Sequence, residues 1–284
     1  MCRCEAGRPT WVRGCSLTSE PKGAAAFALK RRTTPFAADF AASDPFFLPI
    51  RALAREVAAL AQDRGELFPS PATLDAVLSP LAGVHFQVSQ PKPRRSRTPV
   101  PKDMYDASIV EHGVVPTRPG SWHDLLNALV WGAFPRAKRA LHAAQLTLVR
   151  ARVDPHTGRM AGARAKEHDA LALLDEGGAI VLLEGARPPF NTELPQSTQE
   201  LAARIRQGTA RMLVFGHALY ETMVYGGAHT TARAQVHTVT QLPQGLSAEL
   251  AVADTLFAQA LVAGAIPHEG VLPRLDVRAV LSLV

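Results

Sequence analysis

The chain has 284 residues, 47% of them hydrophobic and 20% charged, enough to bury a sizeable core in a soluble globular protein. No run of 18 or more apolar residues is present to span a bilayer, so a membrane anchor is not expected. The formal charge of +6 argues for a polyanion partner only until it is mapped: seven Lys/Arg against Glu5 and Glu20 put +5 within residues 1–32, leaving +1 for everything after.

That first segment also holds every cysteine, Cys2, Cys4 and Cys15, so the body has neither thiol chemistry nor disulfides, which fits a reducing cytoplasm. It is rich in Arg and Ser/Thr and poor in acids, as transit peptides are, but lacks the apolar core of a secretory signal. Residues 1–40 therefore read as a disordered or spurious tail, 41–284 as one globular domain, and the cytoplasm as its location.

In chain order, DPFFLPIRALAREVAALAQ from Asp44 sets Ile50, Leu53, Ala54, Val57 and Leu60 at helical spacing, with Pro49 near the start of an amphipathic helix. SPATLDAVLSPLAG predicts a second short helix, stopped by Pro80 and Gly83, and VHFQVS at 84–89 alternates as a strand does. PKPRRSRTPVPK at 91–102 is a basic loop with no aromatic residues interleaved, so a solvated role is expected before nucleic-acid binding. Ser121 then N-caps WHDLLNALVWGAF. Trp122, Leu125, Leu126, Leu129 and Ala133 share one face while Val130, Trp131 and Phe134 fill the others, so this helix should be buried nearly all round. Pro135 ends it and opens another through Lys138, Leu141, Leu146 and Val149. Eight basic residues between Arg136 and Lys166 face one Asp, which predicts a solvated helix face, and DPHTG at 154–158 is a turn. A helix ending near LLDEGG, a strand AIVLLEG, a Pro-rich loop and a helix from about Ser197 follow. The segment RMLVFGHALYETMV, a strand AQVHTVTQL and a helix from Ser247 to Val262 complete the pattern. The class expected is α+β, a mainly helical single domain with a few short strands.

Three polar clusters interrupt this apolar pattern. His123, Asp124 and Asn127 fall on one helix face within a turn. Capping by Ser121-x-x-Asp124 accounts for Asp124, but Asn127 lies beyond the cap, where an unpartnered buried amide costs about 1–3 kcal/mol. In HDALALLDEGG, residues 168–178, Asp175 and Glu176 sit at a helix C-terminus against the negative end of the dipole, where a cation would be welcome. The plain alternative is that both solvate the turn at Gly177 and Gly178. His168 and Asp169 form the HD dipeptide also found in metal-dependent phosphohydrolases. FGHALYE sets His217 and Glu221 four apart, close enough to share a metal or to hydrogen-bond one another, though without the second histidine of H-E-x-x-H. No GxGxxG, GxxxxGK[ST] or G-x-S-x-G is present.

WHDLLNALVWGAFPRAKRAL, DALALLDEGG and FGHALYE, in this order, resemble the bacterial family called domain of unknown function 3025, with a match extending over about Asp44 to Leu275. The resemblance implies that the three segments belong to one domain. It also implies an Asn and then a His after the Lys of the first motif, where this chain has His142 and Gln145.

Together these residues suggest a metal-assisted hydrolase, of phosphoesters, in which His123, Asp169 and His217 ligate a divalent metal. A carboxylate, Glu221 or Asp175, would serve as base and Asn127 would orient. Two other readings compete: a non-catalytic cytoplasmic adaptor whose polar clusters form a structural network, and a polyanion-binding module using Arg94, Arg95, Arg97 and the Arg136–Arg139 face. The discriminators are whether His123, Asp169 and His217 converge, and whether the basic residues form one surface.

Overall fold

A computed structural model describes residues 29–31, 33–89, 104–154, 156–157, 166–185, 190–191, 193–228, 230–265 and 272–284. The basic loop with Arg94, Arg95 and Arg97 lies outside the described residues, as does part of the 154–158 turn. The chain divides after Thr34, and the unit that follows is Pro35–Val284.

Half-buried aromatic residues before position 41 pack against the core of the larger unit. Phe36 and Phe40 place their rings 5.5 and 5.0 Å from that of Trp122, and Phe68 closes the group at 5.6 Å. The larger unit accordingly includes Pro35 to Phe40. Asp44 caps a 3-10 turn, Pro45–Ile50, by accepting from Phe46 N, and the helix α1 follows at Arg51–Asp63. Arg51 donates to the carbonyls of Ala41 and Asp44 at 2.9 and 2.8 Å, which ties this entry segment to the helix.

The second helix, α2, spans Pro71–Ala82 and runs through Pro80 rather than stopping there. What stops it is Gly83, whose φ of 64° is open to glycine at little cost and lets its N–H reach back to Ser79 O. Strand β1 (His85–Val88) pairs in parallel with β2 (Val114–Thr117), and α3 (Tyr105–His112) precedes β2.

The central helices are α4 (Trp122–Ala133), α5 (Pro135–Arg150) and α6 (Lys166–Gly177). As expected, α4 is buried on nearly every side, from Leu125 to Trp131 without a break. Each fully buried large side chain in that run contributes about 1.5–3 kcal/mol by leaving water. The start of α5 is capped from a distant part of the chain: Asp254 accepts from Arg136 N at 3.1 Å and Ala137 N at 2.7 Å, with Pro135 at the first helical position.

After α6 the chain enters β3 (Gly178–Glu184), continuing through β4 (Phe190–Asn191), α7 (Thr198–Arg206), β5 (Ala210–Val214), α8 (His217–Val224) and β6 (Thr231–Val239). Helix α9 (Leu246–Val262), β7 (Arg274–Asp276) and α10 (Val277–Leu281) follow. The sheet order is β4-β6-β3-β5 with β7 also on β6; β3 runs parallel to β6 and antiparallel to β5. Flanked on both sides, β3 buries Gly178 to Leu183 continuously, which is why AIVLLEG reads as an unbroken apolar run. The unit is α+β and mainly helical, as the sequence predicts. No described helix is long and apolar enough to cross a membrane.

Candidate histidine–carboxylate site

Glycines bring the end of α6 against the start of α8. A β-carbon on Gly216 would fall 2.4 Å from Gly178 N and 2.5 Å from both Glu176 O and Gly177 Cα, backbone atoms that cannot swing aside. With only hydrogen there, Gly216 N donates to Gly178 O at 2.8 Å, and His217, the next residue, opens α8 beside Glu176. His217 Nε2 lies 3.4 Å from Glu176 Oε2.

Helix α4 delivers the other imidazole. His123 Nε2 is 3.1 Å from His217 Nε2, and the ring planes meet at 75°. On its far side, His123 Nδ1 meets Glu221 Oε2 at 3.0 Å. Glu221 is one turn along α8 from His217, but it braces the histidine of another helix rather than pairing with its own. Among the described residues, His123, Glu176 and His217 form a group of three donors whose ligand atoms all lie within 4.8 Å of one another. His217 is buried at 4% side-chain exposure and His123 at 21%, whereas half of Glu176 faces solvent, so the group opens at one edge.

The charges sort the two imidazoles. Burial pushes His217 down to about 3, with Lys138 and His123 acting in the same sense against Asp175, so its ring is neutral at pH 7. Burial acts on His123 in the same direction, but the bond to Glu221 and the charges of Glu176 and Glu221 outweigh it and lift its pKa above the ordinary value. Burial, with Asp175 and Glu221 nearby, raises Glu176 against the pull of His123.

A second, deeper set of contacts joins this group from behind. Lys138 of α5 has no exposed side-chain surface; its Nζ donates to Asn127 Oδ1 at 2.8 Å and to the Asp175 carboxylate, the residue before Glu176. Asn127 Nδ2 donates to Tyr105 OH at 2.9 Å. Burial favours a neutral Asp175, but the Lys138 charge prevails and holds that carboxyl well below the usual carboxylate range. Nearby, His142 Nδ1 meets Asp106 Oδ1 at 2.8 Å while its ring stacks on Trp131, and Gln145 is also buried.

Of the residues singled out in the sequence, the structure brings His123 and His217 into contact, with Glu221 braced on His123. Asn127 and Asp175 are also close by, but through Lys138. Asp169 is the exception. It sits in the first turn of α6 while Glu176 occupies the last, seven positions and about 10 Å further along the helix, so it is Glu176 that stands beside the two histidines. Ser121 Oγ caps α4 by accepting from Asp124 N, and the Asp124 carboxylate accepts from Arg118 N, Nε and Nη2. Lys138, Tyr105 and Asp106 join this set from outside the three clusters that the sequence singles out. The available signal for Lys138 was its place in the apolar stripe of α5 with Leu141 and Val149, all buried.

On the expected basic face over Arg136–Arg139, Arg136 and Arg139 remain exposed, each with neutral hydrogen-bond partners. Lys138 is internal, Arg136 Nη1 donates to Thr255 Oγ1 at 2.7 Å, and Arg139 Nη2 donates to the Ala82 and Gly83 carbonyls at 3.1 and 3.2 Å. A cleft of about 350 Å³ elsewhere is lined by Glu184, Glu193, Gln196, Glu200 and Arg204 and includes no member of the histidine group.

Fold and site together define a mainly helical α+β domain arranged around a histidine–carboxylate centre. The chain matches the family described as protein of unknown function (DUF3025) over residues 94–273, and it belongs to that family. The match takes in every residue of the centre but starts well after Asp44, where the resemblance was expected to begin. No curated protein and no solved structure matches the chain significantly.

Proposed function

We propose that the protein is a metal-assisted hydrolase acting on phosphoesters, with His123, His217 and Glu176 as ligands of one divalent cation. The observation that carries this reading is the disposition of three donors: two Nε2 atoms 3.1 Å apart and a carboxylate oxygen 3.4 Å from one of them. Ligands held about 2.0–2.2 Å from a zinc ion in tetrahedral array stand roughly 3.3 Å apart, close to these spacings. Glu221 on His123 Nδ1 supports the reading further, since a carboxylate on the second ring nitrogen orients a ligating imidazole and raises its basicity.

A bound cation would supply Lewis acidity and lower the pKa of a water at its open position. The protein's own groups divide the remaining tasks. Asp175 is committed to Lys138 and Glu221 to His123, so neither is placed as a free base, and Asn127 orients Lys138 rather than a substrate. Arg118, 60% exposed and gripped by Asp124 next to His123, puts a fixed cation beside the centre, which suits an anionic ester. A cytoplasmic location belongs to the same proposal.

The structural-network reading keeps one observation in its favour: 3.1 Å between ring nitrogens also suits a hydrogen bond from a protonated His123 to a neutral His217. Metal-free protein titrated with zinc and manganese by calorimetry, with elemental analysis, separates the two. One tightly held ion per chain, lost in His217→Ala, together with hydrolysis of nitrophenyl phosphate esters, is expected. No uptake of either metal would sink the hydrolase and favour the network.

A further inference from the structure

We infer that Lys138 is a positioning residue for the metal centre, holding α4 and α6 at the separation that lets His123 face Glu176 and His217; this rests on the metal reading above. The Gly216 contact fixes His217 relative to Glu176 through backbone alone. The third donor, His123, comes from another helix, α4: Glu221 braces its ring from α8, and the spacing of α4 from α6 needs a contact of its own. Lys138 spans that gap. Its Nζ grips Asn127, one turn along α4 from His123, and Asp175, the neighbour of Glu176 on α6.

The grip is directional. An ammonium offers only donors, so Asn127 must turn Oδ1 toward it, and Nδ2 then faces Tyr105 OH at 2.9 Å. Trp131 and Phe215 confine the ammonium, their ring centroids 5.6 and 5.9 Å from Nζ. Stability alone is a poor account of such an arrangement, because a buried ion pair can commonly be replaced by apolar residues without loss. A requirement for a fixed distance between two helices explains it directly.

The test compares four full-length proteins: wild type, Lys138→Met/Asp175→Leu, Tyr105→Phe, and Leu201→Ala, a buried residue of α7 outside the centre. Each is stripped of metal and titrated with cobalt(II), whose visible spectrum reports coordination geometry, at a temperature where circular dichroism shows it folded. The double variant removes both charges together and is expected to bind cobalt at least tenfold more weakly than wild type, with an altered spectrum. Tyr105→Phe frees the Asn127 amide and is expected to weaken binding severalfold, and it carries the test by itself if the double variant does not fold. Leu201→Ala, destabilised but intact at the centre, should bind as wild type does. Wild-type affinity and spectrum in the altered proteins would overturn the role of Lys138 while leaving the metal centre standing. Absence of cobalt binding in the wild type would overturn both.

Discussion

Acid should weaken the folded protein through His217, and the size of the effect follows from its surroundings. The folded imidazole has its pKa pushed by burial from the ordinary 6.5 to about 3, whereas the unfolded chain exposes it to water. Between those values the unfolded state binds a proton that the folded state refuses, so stability falls as pH falls. The contribution is complete above pH 6.5 and is lost toward 3. One proton corresponds to about 1.4 kcal/mol per pH unit, or about 2 kcal/mol between pH 6.5 and 4.5. His123 has the opposite sign: with its pKa raised, its contribution is complete below its unfolded value and lost as pH rises through the folded one. It limits stability on the alkaline side and leaves the acid slope intact. Glu176, also raised, takes up its proton earlier in the folded state and flattens the acid slope, so the comparison with His217→Leu is what isolates the histidine. Urea unfolding at pH 6.5, 5.5 and 4.5 should show wild type losing about 2 kcal/mol more than the variant. Parallel losses in the two proteins would refute the argument from burial.

Lys138→Met alone should cost about 3–5 kcal/mol in urea unfolding, since Asp175 would keep its burial and lose its counter-charge; a loss below about 1 kcal/mol would show that water reaches the carboxylate. Gly216→Ala should lower stability by about 1–3 kcal/mol, because the new methyl meets backbone at 2.4 Å, and an unchanged melting temperature would contradict the close approach. Phe40→Ala should cost about 1–3 kcal/mol and shift tryptophan fluorescence to the red, as its ring packs edge-on against Trp122; a silent substitution would return residue 40 to the tail.

The local elements were legible because their causes are local. Ser121, Ser70 and Ser197 each cap the helix that follows, the alternation of VHFQVS gives β1, and the apolar run of AIVLLEG gives β3. Where one local rule meets another, the tertiary structure decides. Pro80 sits in a final turn that the helix completes before Gly83 ends it. RMLVFGHALYETMV carries no single period and divides at Gly216 into β5 and α8 because two backbones meet there.

For the site, the residue types on offer are legible in the chain: a body without cysteine, histidines at 123 and 217, carboxylates at the end of α6, and an amide on an apolar helix that needs a partner. Each of those follows from composition and helical period, which act within a few residues. Which carboxylate meets the histidines was decided only by tertiary structure. Asp169 and Glu176 lie two turns apart on one helix, and only the Gly216 contact shows which end of α6 reaches His217. The same holds for Lys138. A lysine in an apolar stripe reads as a solvated cation until α4 and α6 close around it, because the partners that make its burial tolerable, Asn127 and Asp175, are 11 and 37 residues away.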